Sequence, residues 1–222
     1  MAYFDDDFFH FFRELEKNNT KAWFQEHKKR YEKSIKKPFN DLVSDLILKI
    51  NALNPRVQIE PLDAIFRINR DVRFSNDKSP YKTNVSALIS EKGKKDKSIP
   101  GIYFTLSTSG ITMYGGTHLQ DKALLLKVRT FIAKNSQELD KALNDPVFKK
   151  TFGEITGEKH KRLAPPFDQL MEKQPLIANK SFLYSASLPK DAITDEMLTD
   201  KIVFYYKASH PVREYLYNAI TN

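Results

Sequence analysis

Gly101-Ile-Tyr-Phe-Thr-Leu-Ser-Thr-Ser-Gly-Ile-Thr-Met-Tyr114 is the stretch that decides the fold. Residues 101 to 106 and 111 to 114 read as two strands, and Ser107-Thr108-Ser109-Gly110 between them fits a hairpin turn. Strands joined this closely run antiparallel, because a parallel pair needs a crossover of roughly a dozen residues or more. Upstream, Val85, Ala87, Leu88 and Ile89 form another strand. Val57, Ile59, Ala64, Ile65, Phe66 and Ile68 suggest one or two more. Gly115-Gly116 is expected to end the second hairpin strand, and Ser181 to Ser187 supplies a last one.

Helical periodicity lies on both sides of these strands. Phe4, Phe8, Phe9, Phe11, Phe12 and Leu15 share a wide apolar face, with Asp5, Asp6 and Asp7 in a first turn where carboxylates suit the helix dipole. Asn18-Asn19-Thr20 breaks the pattern and offers caps for a helix beginning near Lys21. That helix carries Trp23, Phe24, His27, Tyr31 and Ile35 on one side. Lys28, Lys29, Arg30, Lys33, Lys36 and Lys37 surround the other. Pro38 is expected to kink or restart it, and Phe39, Leu42, Val43, Leu46, Ile47 and Ile50 continue an amphipathic helix to about Asn51. Lys92 to Lys97 reads as a polar loop tip.

From Asp121 the chain returns to helix, with an apolar stripe of Leu124, Leu125, Val128, Phe131 and Ile132. Shorter helices follow at Gln137 to Leu143 and Pro146 to Phe152, then a basic, proline-bearing loop over 157 to 167. A helix over 195 to 207 takes Thr194 as its N-cap, and Ser209 caps a final helix with Pro211 in its first turn. Helices, then strands, then helices is the α+β order. The expectation is an antiparallel sheet flanked by N-terminal and C-terminal helices, in a single domain spanning 1–222.

Composition narrows the function classes. With 41% hydrophobic residues, 16 Phe and 10 Tyr, the chain has material for a real core. It has no cysteine, which excludes disulfides, thiolate metal sites and cysteine nucleophiles. No apolar run approaches the ~20 residues that span a bilayer. The start, Met-Ala-Tyr-Phe-Asp-Asp-Asp, lacks the basic region of a signal peptide. A cytoplasmic protein without a membrane partner is expected. The net charge of +8 leans toward anionic partners, a small molecule or nucleic acid. His10, His27, His118, His160 and His210 are scattered without a ligand pair, so no metal site is expected. A phosphate-binding P-loop, a dinucleotide fingerprint and a Gly-x-Ser-x-Gly elbow are all missing, and no cofactor is indicated.

The chemistry concentrates at Phe66-Arg-Ile-Asn-Arg-Asp-Val-Arg-Phe-Ser-Asn-Asp-Lys-Ser-Pro-Tyr-Lys82. Arg67, Arg70, Arg73, Lys78 and Lys82 outnumber Asp71 and Asp77, and Ile68, Val72, Phe74 and Tyr81 are interleaved as anchors. Forked guanidinium donors on an anchored segment hold an anion in fixed geometry. If the run is extended, Arg70, Val72 and Phe74 share one side, and Arg67, Asp71 and Arg73 are neighbours on the other. Asp71 between two arginines is held ionised and orients them. Asp77-Lys78-Ser79-Pro80 has turn chemistry, Asp77 bonding backbone downstream.

The candidate ligand-binding set is Arg67, Arg70, Asp71, Arg73, Lys78 and Lys82. Asp77, Tyr81 and His118 are the candidates for proton transfer, should chemistry occur. Two other readings stay open. One is a nucleic-acid module using the basic stretches 28–37, 92–97 and 159–162. The other is a scaffold in which the charged run is structural and Phe4, Phe8, Phe9, Phe11 and Phe12 bury against a partner.

The run resembles the signature Arg-Asp-x-Arg-Phe-x-x-Asp-Lys-x-Pro-Tyr-Lys of the bacterial and fungal family called domain of unknown function 2461. The matching residues are Arg70, Asp71, Arg73, Phe74, Asp77, Lys78, Pro80, Tyr81 and Lys82. Asn18-Asn19, Trp23-Phe24, Tyr31, Pro38, Gly115-Gly116, Arg129 and Ile132 fit as well, and the resemblance runs over roughly residues 4 to 220. The family favours Arg-x-Pro-x-Gly-aromatic in its C-terminal third. Arg162-Leu-Ala-Pro-Pro-Phe167 departs from that, with Pro166 where glycine is favoured. The resemblance implies a single-domain protein and assigns no activity, cofactor or catalytic residue.

Overall fold

The aromatic N-terminus folds onto itself. The computed structural model, which describes residues 2–73 and 76–222, has α1 over Asp7–Lys17 with Phe8, Phe9, Phe11, Phe12 and Leu15 buried. Phe4 precedes the helix and meets Phe8 edge-on, 5.0 Å between ring centroids. All five phenylalanines that could have docked a partner are inside the chain's own core. Thr20 caps α2 (Lys21–Glu26) by accepting from the Trp23 N–H.

Next, α3 (Lys28–Tyr31) runs into a π-helical turn, Glu32–Lys36, and then α4 (Lys37–Leu53). Pro38 accounts for the π turn. It has no N–H for the Ser34 carbonyl, and its ring would crowd that carbonyl in a regular α turn. The Lys37 N–H reaches back to Glu32 O instead, one residue further than an α bond. The expected kink is therefore a widened turn just ahead of the proline. Arg30 joins α3 to α1, with Nε 3.0 Å from Asp7 Oδ1 and Nη1 2.7 Å from Glu14 Oε2.

The one or two strands expected between Val57 and Ile68 do not form. Pro61–Ala64 is a short helix, α5, opened by reciprocal capping between Glu60 and Asp63. Ile65 and Asn69 each make a single antiparallel bridge, to Ala87 and Tyr81. A proline at the first turn and a capping pair outweigh the β-branched composition.

The four strands are β1 (Asn84–Ile89), β2 (Gly101–Ser107), β3 (Gly110–His118) and β4 (Ser181–Leu188). They form an open antiparallel sheet in the order β1-β2-β3-β4. The hairpin turn is where the sequence places it, with Gly110 at φ +133°. Gly115-Gly116 do not end β3, which continues to His118. A Cβ at Gly115 would lie 2.3 Å from the Tyr184 ring, and one at Gly116 (φ +104°) 1.8 Å from Phe182 O. These glycines admit the close approach of β4.

Between β3 and β4 lie α6 (Lys122–Lys134, capped by Asp121), α7 (Ser136–Leu143) and α8 (Pro146–Phe152). After β4 come α9 (Leu198–Ala208) and α10 (His210–Thr221). Thr194 does not cap α9. It ends a 3-10 turn, its hydroxyl donates to Asp191 O, and Asp195 takes the Met197 N–H at 2.7 Å instead. Ser209 stands ahead of α10 without capping it through its side chain, because its hydroxyl donates backward to Tyr206 O at 2.9 Å.

Cα packing divides the chain into two compact units: 1–94 with 103–113 and 187–204, and 95–102 with 114–186 and 205–222. In the first, Phe8, Phe11, Phe12, Ile35, Phe39, Leu42 and Phe104 are fully buried. In the second, Val128, Ile132, Phe148, Phe182, Tyr184 and Leu216 centre the core. Burial pushes the Tyr184 hydroxyl up to about 12. Arg213 is buried in this unit too, its guanidinium 3.7 Å over the Tyr206 ring and bonded to Ser209 Oγ at 2.7 Å. Among the described residues, no helix is long and apolar enough to cross a membrane.

Candidate functional site

The charged run is a loop closed at its base. Asn69 bridges Tyr81, the Arg70 N–H donates to Pro80 O at 2.9 Å, and the Lys82 N–H donates to Ile68 O at 2.8 Å. The C-terminal end is the firmly held one. Asn19 donates from Nδ2 to Tyr81 O at 2.9 Å and accepts the Tyr81 N–H at 3.1 Å. The Tyr81 ring stacks on Phe24 with centroids 4.0 Å apart and is 9% exposed. Tyr81, a proton-transfer candidate, is thus part of the packing of the first unit.

Inside the loop the carboxylates are all engaged. Asp77 Oδ1 accepts the Ser79 N–H at 2.9 Å, the turn its sequence context implies. Its other oxygen accepts from Arg70 Nη1. Hydrogen bonding from Ser79, and then from Arg70, holds the Asp77 carboxyl below the ordinary range. Asp77 is therefore a fixed anion at neutral pH, suited to orienting Arg70. Asp71 takes Arg73 Nε at 2.9 Å and Nη2 at 2.7 Å. That bidentate bond lowers Asp71 to about 2 and raises Arg73, while the charge of Arg67 adds the least. The expected trio of Arg67, Asp71 and Arg73 is in effect a pair. Lys78 Nζ donates to Val72 O at 3.0 Å. Phe74, expected beside Arg70 and Val72, lies outside the described residues.

Three of the six ligand-binding candidates come together. Arg70, Asp71 and Lys82 line an open pocket of about 430 Å³ with Thr83, Asn84, Ser86 and Tyr103. Lys82 Nζ donates to Arg67 O at 3.1 Å and stands 5.7 Å from the Phe66 ring centroid. Phe66 in turn meets Tyr103 edge-on at 5.8 Å. Arg67 lines a different pocket, with Lys28, Lys36 and Lys94. Arg73 and Lys78 line neither and make their described bonds within the loop.

The sequence reading missed Thr83, Asn84, Ser86 and Tyr103. The first two directly follow Lys82 and needed only a longer window. Ser86 and Tyr103 join through β1 and β2, which short-range spacing does not show. His118 is exposed at the end of β3 and belongs to the second unit. Among the described residues, no group of three or more His, Asp or Glu could hold a metal ion.

The basic stretches separate as well. Residues 28–37 are helical, and 92–94 lie with them in the first unit, whereas 95–97 and 159–162 belong to the second. Lys94 is not a loose tip: its ammonium donates to Leu62 O at 2.5 Å and Ile65 O at 2.8 Å.

An α+β chain with an antiparallel sheet and a looped arginine-aspartate-lysine signature is what the fold and site define. A family model described as conserved hypothetical protein (DUF2461) matches residues 7–215, and the chain belongs to that family. The whole signature from Arg70 to Lys82 falls inside the match, as does the departure at Pro166. No curated protein and no solved structure matches the chain.

Proposed function

We propose that the pocket at Arg70 and Lys82 binds a phosphate-bearing or other anionic small molecule. The observation that supports this reading is that two cationic residues, Arg70 and Lys82, line one pocket with the hydroxyl-bearing Thr83, Ser86 and Tyr103 and the amide-bearing Asn84. Fixed cations supply the attraction, and the neutral donors satisfy the remaining oxygens of a tetrahedral anion. Asp77 holds Arg70 in place. Asp71, which lines the same pocket, opposes an anion, and Arg73 offsets that charge by pairing with it. Arg73 thus aids binding without touching the ligand. A cytoplasmic protein handling phosphorylated metabolites accords with this chemistry and with a chain free of cysteine.

Calorimetric titration with inorganic phosphate and glycerol phosphate, which carries no apolar body, tests the reading. Wild type binds one equivalent, Arg70→Gln and Lys82→Gln lose it, and Asp71→Asn tightens it by removing the repulsion. Unchanged affinity in both cation variants would sink the pocket assignment. A short DNA duplex, run at several salt concentrations, serves the nucleic-acid reading. Its affinity would fall steeply with salt and would not depend on Arg70.

A further inference from the structure

The first unit contains a second pocket whose character is unlike the anion pocket. It encloses about 460 Å³. Phe24, Tyr31, Phe39, Ile65, Phe66 and Ile68 give it apolar walls. Leu62, 81% exposed, lies on its edge. Lys28, Lys36, Arg67 and Lys94 bring four cations to the lining against one carboxylate, Glu32. Lys94 is committed to the carbonyls of Leu62 and Ile65. The side chains of Lys28, Lys36 and Arg67 have no hydrogen bond or ion pair among the described residues.

The π turn builds this wall. Phe24, Lys28, Glu32, Lys36 and Asn40 all line the pocket and recur every four residues. In a regular α-helix a four-residue step overshoots a turn by about 40°, so five such residues would spiral away from one face. The wider i→i+5 turn at Glu32–Lys36 reverses that drift and returns Lys36 and Asn40 to the face that holds Phe24 and Lys28. Pro38 forces the π turn, and the π turn keeps the stripe facing one cavity. Helical widening of this kind recurs at functional sites.

We propose that this pocket binds an amphipathic monoanion: an aryl or short acyl body carrying a carboxylate. The apolar walls take the body. The three uncommitted cations take the head, where the adjoining low-dielectric walls strengthen each charge interaction. A neutral apolar molecule would leave those cations unused, and a polyanion would leave the walls uncovered. The site shares none of the anion pocket's lining residues.

Isothermal titration of the full chain with 2-naphthoate and octanoate, against neutral 2-naphthylmethanol, tests this. The anions should bind one per chain, and the alcohol about tenfold more weakly, a difference of roughly 1.4 kcal/mol. Lys36→Gln with Arg67→Gln should bring naphthoate down to the level of the alcohol. Asn40→Trp, at an exposed helical position on the lining, should block both. Arg70→Gln should lose phosphate and keep naphthoate, so the two sites fail separately. No binding of either acid by wild type would overturn the proposal. So would naphthoate affinity that ignores the Lys36/Arg67 charges and the Asn40 tryptophan.

Discussion

Arg30 grips Asp7 through Nε and Nη2 and Glu14 through Nη1, while Arg73 grips Asp71, also through Nε and Nη2. The partners of Arg30 lie 23 and 16 positions away on another helix. The partner of Arg73 is two residues away, and the Arg73 side chain is 75% exposed. Both bonds are bidentate. Only the first joins separate elements, and only the first is shielded, with the Arg30 side chain 28% exposed over Phe11. A dense cluster of charges in the sequence is thus no guide to what the charges hold. The distance along the chain and the depth of the bond decide whether an ion pair fastens the fold or only shapes its own loop.

The contrast between anchored and exposed parts of the signature should break most sharply at Tyr81. Tyr81→Ala removes a buried ring stacked on Phe24 and should cost about 3 kcal/mol or more in a denaturant melt. Tyr81→Phe keeps the ring and should stay within about 1 kcal/mol of wild type. A small loss in Tyr81→Ala would mean that the Asn19 bonds, not the ring, hold the loop base.

Arg30→Ala comes next, at about 1–2 kcal/mol, because two carboxylates lose their hydrogen-bonded partner at a half-shielded site. Added salt should narrow the gap between variant and wild type. Acid titration sharpens the same point. Arg30 holds both Asp7 and Glu14 below their ordinary carboxylate values. A depressed folded-state value stabilises the fold above the unfolded-state value, near pH 4, and the gain is lost as pH falls through the folded-state value. Wild-type melting temperature should therefore drop below about pH 4 more steeply than that of Arg30→Ala. Parallel curves would show that the pair contributes little to the fold.

The smallest effect belongs to Arg73→Ala, whose stability should stay within about 0.5 kcal/mol of wild type, as for most surface changes. Its phosphate affinity should fall all the same, since Asp71 would then face the pocket unneutralised. Asp71→Asn in the same chain should restore it. A large loss of stability in Arg73→Ala would mean that this end of the loop is as structural as the Tyr81 end.

The features legible in the amino-acid sequence are local. The amphipathic helices at both ends, the hairpin of β2 and β3, the Thr20 cap and the Asp77–Ser79 turn depend on residues within a turn or a strand of each other. Their signals are periodicity, capping chemistry and turn residues, which act over a few positions. Packing set the rest. It made Pro61–Ala64 a helix amid strand-forming residues and ran β3 through two glycines because Tyr184 and Phe182 approach there. It brought Tyr103 to Arg70 and Lys82, and it sent Arg67 to a different pocket. Asn19 and Tyr81, 62 positions apart, hold the loop base, and neither residue's neighbours announce the other. Long-range contacts depend on which surfaces remain once the local elements have formed. That choice belongs to the packing of the whole chain, so no short window of sequence contains it.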